Sequence, residues 1–482
     1  MSRALIALAT IALAGCAYPT PYNPPKTVPS TASVSAPPSA NDGLFDSLAV
    51  TAKLPGSLAP GAGAAQRQEY VALAVIRDSN LTALVVHALN QNQELKAAAA
   101  RVDEYRGIAG AARSRLLPGI DGNASMSTNQ IAIGASPPIA YRSVRATADL
   151  QWELDFWGRI RKGVAGAEAD QAARMDDEEA LRLTIVADVS NAYLEMLEAR
   201  EGLDISQNAL VARQSILGLA RRRFAQGVIS EVDVRQFEAD VAGAASSVAQ
   251  FTRTASQKEH ALSLLTGALP APVRTASNLD AVTQAIAVPD SIPASLLLRR
   301  PDVMSAERSL AAESARLGAT RAAILPRFLI TSQYGRQSPT ASQLFGADHE
   351  IYSLQLGMSV PIFAGGRASA ELASQRARID QSRARYEQSV LRAFSEAADA
   401  LVGVRTGREQ LAAQVAQAAA LRDGYRLAQR RYEGGIASYL ELLEAQRGLF
   451  AAEIAVTQTR RAYLEATVQL YKALGGRWDG QE

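Results

Sequence analysis

The sequence predicts an α+β membrane protein made of two copies of one unit, each a β-hairpin set between long helices. Three observations predict it. A motif recurs at an offset of 208 residues, the hydrophobic period switches twice from helical to alternating, and the composition is that of long helices. Arg223-Phe224-Ala225-Gln226-Gly227-Val228-Ile229-Ser230 is answered by Arg431-Tyr432-Glu433-Gly434-Gly435-Ile436-Ala437-Ser438. The same shift pairs Asp233 with Glu441, Arg113 with Arg321, Leu117 with Leu325 and Pro118 with Pro326. A period this long marks a duplicated half rather than a solenoid repeat. The chain is rich in Ala, Leu, Arg, Glu and Gln, and only 6% of its 482 residues are aromatic, the palette of long helices.

The N-terminal elements come first. Met1-Ser2-Arg3 and an apolar run from Ala4 to Ala14 lead into Leu13-Ala14-Gly15-Cys16. The run is too short to span a bilayer; a basic start, a short apolar core and small residues read as a secretory signal over residues 1–15. Leu-Ala-Gly-Cys resembles the bacterial lipobox, which makes Cys16, the single cysteine of the chain, the lipidated mature N-terminus. Ala17 at the following position resembles the signal for outer-membrane sorting. Several acyl chains together give a firm anchor. Residues 16–69 continue as a Pro-rich tether, with Pro19, Pro21, Pro24, Pro25, Pro29, Pro37 and Pro38, extended rather than helical. No later stretch is long and apolar enough for a transmembrane helix.

The first repeat spans residues 70–267 and the second residues 293–476, with a linker at 268–292 and a tail at 477–482. Each opens with a helix, from about Tyr70 to Leu117 and from about Pro293 to Leu325, stopped at Pro118 and Pro326 because proline lacks the N–H the helix needs. After each proline the period becomes two. Val144, Ala146, Ala148, Leu150, Trp152, Leu154 and Phe156 alternate with polar residues, and in the second half Tyr352, Leu354, Leu356, Met358, Val360 and Ile362 do the same. Weaker partners lie at Ile120 to Gln130 and at Phe328, Ile330, Ser332 and Tyr334, so hairpins are expected over 119–156 and 327–363, with turns around Gly134 to Pro138 and Gln337 to Asp348. Thirteen alternating residues make a strand of about 40 Å, long for a soluble sheet and suited to a membrane barrel. Four strands leave open edges that lipid does not tolerate, so several chains must close one barrel: two give eight strands, three give twelve.

Beyond each hairpin a very long helix is expected. Val189, Met196, Leu203, Leu210, Leu217 and Phe224 recur every seven residues, as do Val390, Ala397, Val404, Leu411, Ala418, Tyr425 and Tyr432. Such a repeat signals coiled-coil-like packing, and roughly 65 residues at 1.5 Å each give about 100 Å. Both helices end at the duplicated motif, where Gly227 and Gly435 can take the left-handed conformation. Ser230 and Ser438 can cap the next helix, with Asp233 and Glu441 at the capping-box position. Return helices then run to about Leu265 and Leu474.

Several function classes find no support. With 50 basic against 48 acidic residues the net charge is +2, so there is no electrostatic case for nucleic acid. There is no P-loop, dinucleotide fingerprint, metal-ligand spacing or nucleophile–base constellation. His87, His260 and His349 are scattered, and no enzyme activity, cofactor or metal is expected beyond the lipid on Cys16.

Taken together these residues resemble the outer membrane factor family, the TolC-like and OprM-like exit ducts of bacterial efflux, over nearly the whole chain. Its specific marks are Leu298-Arg299-Arg300-Pro301-Asp302, the Arg-Phe/Tyr-x-x-Gly-x-x-Ser motif in both halves, and Leu442-Leu443-Glu444-Ala445-Gln446-Arg447. The lipobox points to the NodT-like lipoprotein branch. The resemblance implies a homotrimer in the outer membrane, with a twelve-stranded barrel, four strands per chain. That barrel continues into a periplasmic helical barrel, and an equatorial belt forms from about residues 40–70, 268–292 and the tail. It implies a periplasmic adaptor (membrane fusion protein) docking at the tips around Gly227, Ser230, Gly435 and Ser438, and an inner-membrane pump of the RND type. It places a gate at Leu440 and Glu444, four residues apart on one helix face, with Tyr432 and Arg447 tying neighbouring hairpins shut. Threefold symmetry would make Glu444 a carboxylate ring favouring cations. The first repeat has Val232 and Gln236 at those places. Val144, Leu150, Trp152, Leu154, Phe156, Tyr352, Leu356 and Met358 are the expected lipid-facing positions. The alternatives are a lipid-anchored periplasmic coiled-coil scaffold that never inserts, and an exit duct for protein secretion.

Overall fold

The computed structural model describes residues 33–35, 78–132, 138–275, 277–283 and 291–476. Cys16, its leader and tether, the tip of the first hairpin and the C-terminal tail lie outside the described residues. The elements are β1 (Ser33–Ser35), α1 (Ser79–Gln91), α2 (Gln93–Ser114), β2 (Gly119–Ile131), β3 (Ile139–Leu154), α3 (Arg159–Ala225), α4 (Glu231–Leu265), α5 (Leu279–Val282), β4 (Ser291–Pro293), α6 (Ala294–Leu297), α7 (Pro301–Ala322), β5 (Arg327–Ser338), β6 (Glu350–Ser359), α8 (Arg367–Glu433) and α9 (Tyr439–Ala473). The bounds of α2 and α7, α3 and α8, and α4 and α9 all differ by 208 residues. Two compact units form, one from Ala100–Met175 with Ser305–Gln388, the other from Thr27–Ala99, Asp176–Met304 and Ser389–Glu482.

The first unit holds a four-stranded antiparallel sheet in the order β2-β3-β5-β6. Its register aligns Leu154, Phe328 and Met358, then Trp152, Ile330 and Leu356, then Ile120, Leu150, Ser332 and Leu354, then Ala148, Tyr334 and Tyr352. Directly opposed residues share a face, so the alternating apolar positions of both hairpins merge into one surface. Tyr352, Leu354, Leu356 and Met358 on it are exposed. The other face is polar and bonded across three strands: Asn123 and Gln333 both donate to the Asp149 carboxylate, at 2.6 and 2.9 Å. Arg145 donates to Gln337 at 2.8 Å. Gly335 permits the close approach of β3, since a Cβ there would lie 2.2 Å from the Ala146 carbonyl oxygen.

Two expected lipid-facing positions need correction. Val144 is buried within the chain, so it does not belong to the exposed surface. Phe156 lies past the end of β3, in a turn closed by Phe156 N–H donating to Leu154 at 2.9 Å, and its ring meets Phe328 edge-on at 5.0 Å. Likewise β6 stops at Ser359, short of Val360 and Ile362, and β5 runs to Ser338, so the second turn begins one residue later than expected. The strand ends are pinned to the preceding helices by indoles: Trp152 donates to the Leu116 carbonyl at 3.0 Å and Trp157 to that of Pro326 at 2.8 Å. Asp155 caps α3, accepting from the Ile160 and Arg161 amides at 3.0 and 2.9 Å; its counterpart 208 residues on is Phe363, almost fully exposed.

In the helical unit the contacts run α4-α3-α9-α8. Arg200 pairs with Glu259 at 2.6 Å, Arg461 with Glu198 at 2.5 Å and Arg422 with Glu453 at 2.8 Å. Val189, Met196, Val390, Ala397 and Val404 of the seven-residue seams are buried, as expected of laterally packed helices. The opening helices are not continuous. The expected first helix breaks at Asn92, whose backbone leaves helical geometry at ψ 130 and whose side chain accepts from the Glu94 and Leu95 amides, capping α2. The second breaks at Leu298–Arg300. The cause is shared: Asn92 donates to the Leu265 carbonyl at 2.8 Å, and Arg300, its counterpart, donates to that of Ala473 at 3.5 Å. Each break thus satisfies a carbonyl orphaned at the end of a return helix. Arg300 is buried and also pairs with Asp302 at 2.8 Å and Glu396 at 2.6 Å.

Asp78 caps α1, accepting from the Asn80 amide at 2.8 Å and the Tyr193 hydroxyl at 2.7 Å. Burial pushes the Tyr193 phenol up to about 12. For Asp78, burial pushes its carboxyl up, but the bonds from Tyr193, Ser277 and the Asn80 and Leu81 amides outweigh it and hold the group below its ordinary 3.8. Its contribution is therefore complete above pH 3.8 and is lost as pH falls through the lower folded value. Asp78→Asn is expected to flatten this acid limb of a melting-temperature profile, and Asp78→Ala to cost about 1–2 kcal/mol at neutral pH; an unchanged acid limb in the Asn variant would show that other carboxylates set it.

Candidate functional site at the helical tips

Each long helix ends because its motif supplies a glycine that accepts positive φ. Gly227 and Gly435 sit at φ 72 and 75, a region that costs residues with a Cβ. Schellman bonds close both ends: Val228 N–H donates to Arg223 at 2.9 Å and Ile436 N–H to Arg431 at 2.8 Å. Ser230 then makes a full capping box with Asp233. The second copy departs from the expected box. Ser438 accepts from the Glu441 amide at 3.3 Å, but the Glu441 carboxylate accepts from Arg431 at 3.0 Å instead of turning back to the cap.

A small core joins the two hairpins. Ile216, Leu217 and Ala220 of α3, Val234 and Phe237 of α4, Ala428 and Tyr432 of α8 and Leu442 of α9 are buried together. Phe237 meets the rings of Tyr432 at 6.0 Å and Tyr439 at 4.2 Å. Arg223 stacks over Tyr432 at 4.8 Å and donates to the last carbonyls of α8, Tyr432 at 3.0 Å and Glu433 at 2.9 Å, a cation where the helix dipole favours one. Burial pushes the Tyr432 phenol up, against the pull of Arg223; burial and then Asp240 push up that of Tyr439. Thus Tyr432 ties the second hairpin to the first within one chain. Beside it lies a groove of about 290 Å³ between α3 and α8, lined by Ile216, Leu219, Arg222, Gln429, Tyr432 and Glu433.

Leu440 and Glu444 occupy the opposite face of α9 from Leu442 and Leu443. Both are exposed, and Glu444 has no ion pair with any described residue. Val232 and Gln236, at the matching places on α4, are exposed too. Arg447 reaches the Asp240 carboxylate at 3.8 Å from an exposed position. The buried partner of Asp240 is Arg213, at 3.2 Å, which also donates to the Asp240 carbonyl at 3.1 Å. Sequence reading missed Arg213, Asp240, Phe237 and Tyr439. The only available signal was a charged residue falling on a helix face that otherwise packs, at positions 213 and 240. Among the described residues no helix is long and apolar enough to cross a membrane, and no cluster of three metal-ligating side chains forms.

Removing one member of a buried ion pair leaves the other uncompensated. Asp240→Ala is expected to destabilise the tip by about 3–5 kcal/mol, read as faster amide exchange in α3 and α4 near the motif. Arg447→Ala, at an exposed pair, should cost at most about 1 kcal/mol; equal effects of the two changes would contradict this assignment.

Comparison with known proteins follows the same two-part division. Residues 84–268 and 292–476 each match the family described as outer membrane efflux protein. The chain is 33% identical over 407 residues to the toluene efflux pump outer membrane protein TtgF of Pseudomonas putida, covering 84% of both chains. Its fold is similar to that of the outer-membrane channel OprN, with a TM-score of 0.80 and 29% identity over 85% of this chain and 92% of that one. It is similar also to CusC, with a TM-score of 0.81 and 27% identity over 96% and 100%. The chain belongs to the outer membrane efflux protein family, and the α+β fold is that of an outer-membrane channel of Gram-negative bacteria.

Proposed function

We propose that the chain is the outer-membrane exit duct of a tripartite efflux system, anchored by lipid on Cys16. It conducts cargo passively and performs no chemistry of its own. The observation that carries this reading is the sheet of the first unit: one continuous apolar face, one hydrogen-bonded polar face and two unpaired edges. Such a sheet fits a barrel wall between lipid and water, closed by three copies into twelve strands. A scaffold that stays in the periplasm would have no use for it. The energy comes from an inner-membrane pump, of the RND type, reached through a periplasmic adaptor. The adaptor docks on the hairpin tips at Gly227, Ser230, Gly435 and Ser438 and in the groove between Arg222 and Glu433. Small-molecule cargo of the solvent or drug type is favoured by relatives named for toluene efflux.

The gate in this reading is Leu440 with Glu444. Their exposure, with the chain's own core on the other side of α9, leaves them free to line a neck. Three copies would set three Glu444 carboxylates, alternating with Gln236, around it. In planar-bilayer recordings Glu444→Ala should raise the conductance and weaken cation preference; no change in either removes Glu444 from the gate.

Lipid contact is tested separately. Leu356→Arg, or Leu150→Arg on the aligned position of β3, should cost about 2–4 kcal/mol if the side chain meets the bilayer midplane. The measurement is the yield of membrane-inserted, heat-resistant oligomer; insertion at the wild-type level would refute the barrel assignment for this face.

A further inference from the structure

In the helical unit α3 and α9 are flanked on both sides, whereas α4 and α8 each keep one long face without a partner. The contact between α3 and α9 joins the two repeats inside one chain. There Arg461 pairs with Glu198 at 2.5 Å and the Thr457 hydroxyl donates to Glu201 at 3.4 Å, beside buried Leu464. Internal duplication supplies a second version of both surfaces. Shifted by 208 residues, the α9 side becomes Ala249, Arg253 and Ser256 on α4, and the α3 side becomes Thr406 and Glu409 on α8.

The second version is open. Ala249, Arg253 and Ser256 are exposed. Leu194 and Leu183 of α3 are 0% and 8% exposed, but their counterparts on α8, Val402 and Leu391, are 37% and 66% exposed. Neither Arg253 nor Glu409 has an ion pair among the described residues. Two complementary surfaces, one basic and one acidic, are thus left over, each a near copy of a surface already engaged.

We propose that α4 of one chain packs on α8 of the next in the register of α9 on α3, seating Arg253 against Glu409 of the neighbouring chain. This deepens the trimer reading, on which it rests. The occupant is a second copy of this chain because only α8 repeats the surface that α3 offers, at the offset that α4 repeats α9. A chain seated this way leaves one α4 and one α8 free at the ends of its helical unit, and three chains close the ring with no face left over.

The test uses full-length protein purified in detergent, with Ala249→Cys and Glu409→Cys combined, and single-cysteine variants setting the background from Cys16. Mild oxidation should convert most of the protein to covalent trimer on a non-reducing denaturing gel. Ala242→Cys with Glu409→Cys, displaced by about 10 Å along α4, should give background only. If the first pair links no better than the second while light scattering still reports a trimer, the register is wrong and the trimer stands. If no trimer is present before oxidation, the trimer reading itself fails. Charge reversal gives a second measure: Arg253→Glu and Glu409→Arg should each lower the temperature at which the trimer dissociates, and together restore most of the loss. Two losses that simply add would overturn the pairing.

Discussion

A β-sheet edge in lipid has nowhere to send its hydrogen bonds, and the molecule is organised around that constraint. The order β2-β3-β5-β6 leaves β2 and β6 unpaired on their outer sides within the chain. Each unmet amide or carbonyl in hydrocarbon costs several kcal/mol, so the sheet is stable in a membrane only as part of a closed barrel. A single chain cannot supply closure with four strands. The helical unit carries the matching incompleteness, in the open faces of α4 and α8. One requirement at the sheet edge and another at the helix flank both call for a second copy of the same chain.

Duplication makes this economical, and divergence between the copies marks where the two halves do different work. Asn92 and Arg300 show the conserved part: different side chains reach the carbonyls of Leu265 and Ala473, equivalent places at the ends of α4 and α9. Asp155 and Phe363 show the divergent part. A helix cap in the first repeat is replaced by a bare aromatic in the second, which suits a side chain surrounded by lipid or a neighbouring chain. At the tips the first repeat keeps a reciprocal capping box, while the second uses Glu441 to hold Arg431. The acid at position 444 likewise has an uncharged counterpart, Gln236.

What could be read from the chain alone followed from local physics. Proline at 118 and 326 ends a helix whatever surrounds it, and a period of two in residues 144–154 cannot be satisfied by a helix. The left-handed glycines at 227 and 435 were legible because the motif also carried its caps. Other features escaped because their causes are distant in sequence. Asn92 breaks a helix for the sake of a carbonyl 173 residues away. The Arg213–Asp240 pair looked like two surface charges on amphipathic helices, and burial by α9 made it structural. Val144 kept the alternation that marks the apolar face, yet the fold covers it.

By itself, then, the sequence determined the duplicated order of helix, hairpin, long helix, tight tip and return helix, since each rests on interactions within a few residues. Tertiary structure alone decided that the apolar faces of the two hairpins become one surface, because that depends on the register of β3 against β5, strands far apart in the chain. It decided too which ion pairs are buried and which helix faces stay open, because burial is a property of neighbours and not of spacing along the chain.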